Sequence, residues 1–125
     1  MPSIPVTAAA AVAALTSAVA VAVPIASAKD GNGVRVRGVC TAGSQSKLKL
    51  SSEDGRVEVE FEVDQNRNGV PWKVTLRRNG RLVASTTAQT RAPSGSFTVR
   101  RVVAGGRIAA VATRSSERCS ASASF

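Results

Sequence analysis

Val57-Glu58-Val59-Glu60-Phe61-Glu62-Val63 alternates apolar and acidic residues without a break. Successive side chains of an extended chain point to opposite faces, so this pattern puts Val57, Val59, Phe61 and Val63 on one side and three glutamates on the other. A helix of the same sequence would scatter the glutamates around its axis and leave no apolar stripe. The segment therefore predicts an antiparallel strand with one buried and one solvated face.

The same reading extends in both directions. Trp72, Val74 and Leu76 alternate with Lys73, Thr75 and Arg77. If Asp64 to Pro71 is a hairpin loop, Val63 faces Trp72, and Glu62 and Glu58 meet Lys73 and Arg77, pairing opposite charges across the strands. Asn79-Gly80 is a two-residue hairpin signal, because both residues tolerate the positive φ that a type I′ turn needs. It leads into a strand over Arg81 to Thr86 and sets Arg78 beside Arg81. Ala92-Pro93-Ser94-Gly95 marks the next turn, before Phe97 and Val99, and Arg100-Arg101 disturbs the alternation in the manner of a bulge or strand end. Gly105-Gly106 precedes a strand over Ile108 to Thr113. Towards the start, Val34, Val36, Gly38 and Cys40 share one face, and Leu48 and Leu50 alternate with Lys47 and Lys49. At the end, Cys119, Ala121, Ala123 and Phe125 share a face opposite Ser120, Ser122 and Ser124.

Seven or eight short antiparallel strands and no helix in this region predict an all-β, two-sheet sandwich of immunoglobulin-like outline, with a small closed barrel as its rival. Trp72 lies between Cys40 and Cys119 much as in immunoglobulin domains, although these cysteines sit nearer the chain ends. The two cysteines allow one intramolecular pairing, whose loop of about 80 residues is assigned roughly 4 to 5 kcal/mol by loop entropy.

Residues 6–23 carry no charge and are mostly alanine and valine; Pro24 breaks the run and Ala26-Ser27-Ala28 offers small residues before Lys29. This is the pattern of a cleaved secretory signal over 1–28, followed by one domain over 29–125 in an oxidising, extracellular or cell-envelope setting. No membrane span is expected in the processed chain.

All 17 basic and 8 acidic residues fall after position 28, giving a formal charge of +9, and most of the acids lie between Glu53 and Asp64. Such a body is drawn to polyanions: anionic cell-wall polymers, anionic membrane surfaces or extracellular DNA. Arg77, Arg78, Arg81, Arg100 and Arg101 are the candidate contacts, since the guanidinium fork suits phosphate oxygens. Sequence-specific nucleic-acid recognition is not expected: no helix is available to enter a groove, and Phe61, Phe97, Phe125 and Trp72 fall on inward faces where they cannot stack on bases.

Asp64-x-Asn66-x-Asn68-Gly69 matches the first half of a calcium loop, but its twelfth position is Thr75 where a bidentate glutamate belongs, and only Asp64 brings formal charge. Calcium is thus a candidate ligand of Asp64, Asn66 and Asn68, against the simpler reading of a polar turn. No catalytic residues emerge. The chain has no histidine, a bridged cysteine is no nucleophile, and Ser44-Gln45-Ser46-Lys47 lacks the companion motifs of the S-x-x-K enzymes. Glu58, Glu60 and Glu62 share one strand face and do not flank a substrate as a carboxylate pair would.

Gly38-Val39-Cys40, the acidic strand running into Asp64-Gln65-Asn66-Arg67-Asn68-Gly69, the segment from Ala92 to Arg101, and Arg118-Cys119 together resemble small secreted actinobacterial proteins of unassigned function. The resemblance implies secretion and a β-rich domain and carries no catalytic residues. The expected function is that of a non-catalytic, monomeric binding or structural module attracted to anionic polymers. The alternative is an inhibitor or effector docking an exposed loop, Thr86 to Gly95, onto an extracellular partner protein.

Overall fold

A computed structural model describes residues 27–30, for their backbone, and 33–125. The apolar part of the expected export signal, 1–26, lies outside the described residues. Ten strands follow in chain order: β1 (Ser27–Asp30), β2 (Gly33–Arg37), β3 (Val39–Cys40), β4 (Gln45–Glu53), β5 (Arg56–Asp64), β6 (Pro71–Arg78), β7 (Arg81–Gln89), β8 (Ser96–Val103), β9 (Arg107–Arg114) and β10 (Glu117–Ser124). The count exceeds the expected seven or eight because Ser27–Asp30 adds a strand and the first expected strand is divided at Gly38.

The strands form two antiparallel sheets, ordered β1-β2-β4-β5-β8 and β3-β10-β9-β6-β7. The first is called sheet A below, the second sheet B. Their inner faces meet in one core: Leu48, Leu50, Val57, Val59, Phe61 and Val63 from sheet A lie against Trp72, Val74, Leu76, Ile108, Ala110 and Ala112 from sheet B. The core combines small alanines on β9 with the large rings of Trp72 and Phe61, and close packing of two sheets calls for such a mixture of sizes. The two outermost strands β7 and β8 lie on the same side without joining into a ladder, so the body is a sandwich open on that side and not a closed barrel.

The expected hairpin between β5 and β6 does not form. β5 pairs with β4 and β8, whereas β6 pairs with β7 and β9 in the other sheet, so the segment after Asp64 crosses between sheets. Glu62 therefore stands opposite Lys47 and Thr98, and Glu58 opposite Ser51 and Val102. β4 offers the glutamates the same charge complementarity through a two-residue turn, Asp54-Gly55, whose residues both have positive φ (49° and 79°). The Asn79-Gly80 turn forms as read, with φ of 50° and 86° and Arg78 directly opposite Arg81. Beyond it the register shifts between Leu76 and Arg77, leaving Val83 as the extra residue of a bulge. Arg100-Arg101 makes no bulge: β8 keeps register with β5 from Ser96 to Val103, and Arg101 stays exposed because β8 is an edge strand.

Gly38 lets one strand serve both sheets. The chain leaves β2 in sheet A and enters β3 in sheet B at this residue, which approaches its neighbours so closely that an added Cβ would collide with Ser46 Oγ and lie 2.7 Å from the Ser120 carbonyl. β3 then lies against β10 with Cys40 opposite Cys119, and the two are disulfide-bonded. The Thr41 N–H donates to the Arg118 carbonyl at 2.9 Å, which makes the cysteines a non-hydrogen-bonded pair, the closer of the two antiparallel positions. The bridge thus joins neighbours within sheet B, where the immunoglobulin comparison would have it join the two sheets.

Candidate functional site

Register decides where the charges go. On the outer face of sheet A the acidic row of β5 is enclosed by basic rows. Lys47 and Lys49 of β4 stand opposite Glu62 and Glu60, and Arg100 of β8 stands opposite Glu60 on the other side. Within this grid Lys47 Nζ lies 3.3 Å from Glu62 and Arg100 lies 3.7 Å from Glu60. Their cations are exposed and their glutamates half-buried, and each pair is worth about 0–1 kcal/mol. Their larger effect is to neutralise the face.

The outer face of sheet B has the opposite character. Residues directly opposed across its ladders share a face, which gives three rows: Thr87, Lys73, Thr113 and Arg118; Ser85, Thr75, Val111, Ser120 and Val39; Leu82, Arg77, Ala109 and Ser122. Arg107 follows at the start of β9, where its N–H donates to Asn79 Oδ1 at 2.9 Å. No carboxylate stands on this face among the described residues. Six of the acids, Glu53, Asp54, Glu58, Glu60, Glu62 and Asp64, belong to sheet A or its β4–β5 turn. Glu117, on the inner side of β10, is held by Arg114 at 3.0 Å, Ser44 at 3.2 Å and Gln65 at 3.4 Å.

Lys73, Arg77, Arg107 and Arg118 are all exposed, and among the described residues no hydrogen bond or ion pair engages their side-chain nitrogens. Strands about 4.8 Å apart put Lys73 and Arg118 about 10 Å from each other across Thr113, and the diagonal from Arg77 to Arg107 is about 7–8 Å. Between them the floor is Thr75, Thr113, Ala109, Val111, Ser120 and Ser122, short side chains that leave the cations standing proud.

The arginines singled out in the sequence are not one patch. Arg77 belongs to the cationic face. Arg78 points the other way, its Nε donating to the carbonyls of Gly105 at 2.7 Å and Ala104 at 3.2 Å, where it holds the β8–β9 connection. Arg81 is exposed at the hairpin end opposite Arg78. Arg100 pairs with Glu60, and Arg101 Nη1 donates to the Arg100 carbonyl at 2.7 Å, both on the edge of the other sheet. Lys73, Arg107 and Arg118 escaped the sequence reading because nothing local marks them; only the ladder order brings them to one surface.

The Asp64–Gly69 segment is organised by the protein itself. Asp64 Oδ1 accepts from the Asn66 N–H at 3.0 Å, the Gln65 N–H donates to the Gly95 carbonyl at 3.0 Å, and the buried Thr90 hydroxyl donates to the Arg67 carbonyl at 2.6 Å while accepting from the Val70 N–H at 2.9 Å. Gln65 also accepts from Trp72 Nε1 at 3.2 Å. Asn66 and Asn68 are exposed, and among the described residues no group of three or more His, Cys, Asp or Glu side chains is gathered to hold a metal ion. No described helix is long and apolar enough to cross a membrane. Comparison with known proteins returns no match to this chain among protein families, curated proteins or solved structures.

Proposed function

We propose that this protein is an exported, non-catalytic binding module that holds anionic polymers against the outer face of sheet B. The observation that carries this reading is charge segregation: Lys73, Arg77, Arg107 and Arg118 share a face without a carboxylate, while the acids are interleaved with cations on the other sheet. A floor of small residues, with cations about 7–10 Å apart within the Lys73–Arg118 and Arg77–Arg107 pairs and about 13 Å apart from Lys73 to Arg77 along β6, suits an extended chain of repeating phosphate or carboxylate groups. The arginine forks donate to such oxygens in pairs, and Lys73 adds a point charge.

Export fits the cysteine pair, which persists outside the reducing cytosol, and polymers of this kind are abundant at cell surfaces. The reading is tested by titrating the oxidised, processed chain with a glycerol-phosphate polymer at increasing ionic strength. Affinity should fall steeply with salt, because exposed charges are screened within about 8 Å at physiological ionic strength. Binding that ignores salt, or no binding at low salt, would refute it.

A further inference from the structure

The open side of the sandwich carries a groove separate from the cationic face. β8 ends sheet A and β7 ends sheet B, and a groove of about 780 Å³ runs between them. Phe97, Val99 and Ala88 give it an apolar floor, and Arg91, Arg100 and Arg101 line it with positive charge.

The phase of the β8 ladder shows which backbone groups face this groove. The Gln65 N–H to Gly95 carbonyl bond continues the β5–β8 ladder and fixes its alternation, so Phe97, Val99 and Arg101 direct their backbone groups at β5. Ser96, Thr98, Arg100 and Val102 direct theirs outward. Ser96 already uses its outward groups: the Arg91 N–H donates to its carbonyl at 2.9 Å and its own N–H donates to the Arg91 carbonyl at 3.3 Å. A new ladder therefore begins on this edge and stops after one rung. The following rungs, Thr98, Arg100 and Val102, have no backbone partner among the described residues, and the one contact there is the Arg101 guanidinium folded onto the Arg100 carbonyl.

We infer that the β8 edge from Thr98 to Val102 accepts an extended acidic peptide segment of a partner protein as an added strand, continuing the ladder that Arg91 begins. Backbone groups of Thr98, Arg100 and Val102 supply the main-chain bonds, as in other strand additions. Arg100 and Arg101 point to opposite faces of β8, and since Arg100 is already paired with Glu60, acidic residues on the inner face of the incoming strand meet Arg101. Arg101 exchanges its bond to the Arg100 carbonyl for a carboxylate, freeing that acceptor for the new strand. A second copy of β8 is a poor occupant, since it would bring its own arginines against these.

The test uses the processed, oxidised protein and an amidated peptide of about seven residues alternating Glu and Val, a length matched to this edge. In heteronuclear NMR the amides of Thr98, Arg100 and Val102 should shift and gain protection. A peptide alternating Lys and Val should bind at least tenfold more weakly. Thr98→Pro removes one outward N–H without touching the β5 ladder and should weaken the acidic peptide at least tenfold, as should Arg101→Glu, whereas Lys73→Gln/Arg118→Gln should leave it within twofold. Shifts confined to the Lys73 and Arg118 face, equal affinity for the two peptides, or full binding by Thr98→Pro would overturn the proposal. Because it concerns a different face, its failure leaves the polymer reading standing, and the reverse also holds.

Discussion

Cys40 and Cys119 stand directly opposite each other on the adjacent strands β3 and β10, bridged across a sequence separation of 79 residues. β3 is only two residues long, and without the bridge its hold on sheet B is a short stretch of ladder. Reduction, or Cys40→Ser/Cys119→Ser, should therefore lower unfolding free energy by about 2–5 kcal/mol. Chemical denaturation with and without reductant measures this. An unchanged midpoint would mean that the bridge constrains nothing the fold needs.

Gly38 should be the least replaceable residue of the strand crossing. Gly38→Ala places a methyl against Ser46 Oγ and the Ser120 carbonyl, and overpacking of this kind costs about 1–3 kcal/mol. Gly43→Ala, whose Cβ meets nothing within 4 Å, is the matched control and should be near neutral. Thermal melts of the two variants separate the readings; equal melts would show that β2 and β3 can part without loss.

The Asp64–Gly69 segment should owe its shape to Thr90. Thr90→Val keeps the volume but strips the Val70 N–H and the Arg67 carbonyl of their side-chain partner, a loss of about 1–3 kcal/mol. Addition of calcium or a chelator should leave the melting temperature of the native chain unchanged. A rise with calcium would instead make Asp64, Asn66 and Asn68 ligands, since a ligand that binds only the folded state stabilises it.

The expected processing point, between Ala28 and Lys29, falls inside β1. Cleavage there removes Ser27 and Ala28, the residues opposite Val36 and Arg35, and keeps Lys29 and Asp30 opposite Val34 and Gly33. Mass spectrometry of the exported chain should find Lys29 at its N-terminus. Amide exchange at Arg35 and Val36 should then be no slower in the processed chain than in one carrying residues 27 and 28. A mature start upstream of Ser27 would contradict the processing reading.

Local signals carried the strands and non-local ones the architecture. The alternation at Val57–Val63, the Asn79-Gly80 turn and the cysteine pair could all be read from neighbours in sequence. The partner of β5 could not, because Glu62 finds an opposite charge equally well in Lys73 or Lys47. Asp54-Gly55 was the available arbiter: a two-residue hairpin there ties β4 to β5 and leaves Asp64–Pro71 to cross between sheets. Gly38, set among β-branched and charged strand residues, likewise signals close backbone approach. The cationic face had no such local mark. It exists because β6, β9 and β10 lie side by side, so Lys73, Arg107 and Arg118, far apart in sequence, become neighbours.

The central claim is that the arrangement of charge, and not its sum, binds polymer. Lys73→Gln/Arg118→Gln and Lys49→Gln/Arg56→Gln each remove one lysine and one arginine, the first pair from sheet B's outer face and the second from sheet A's. Affinity for a glycerol-phosphate polymer, measured for both at one ionic strength, should fall at least tenfold for the first and less than threefold for the second. Equal losses would show that net charge alone draws the polymer, and the account of a binding face would be wrong.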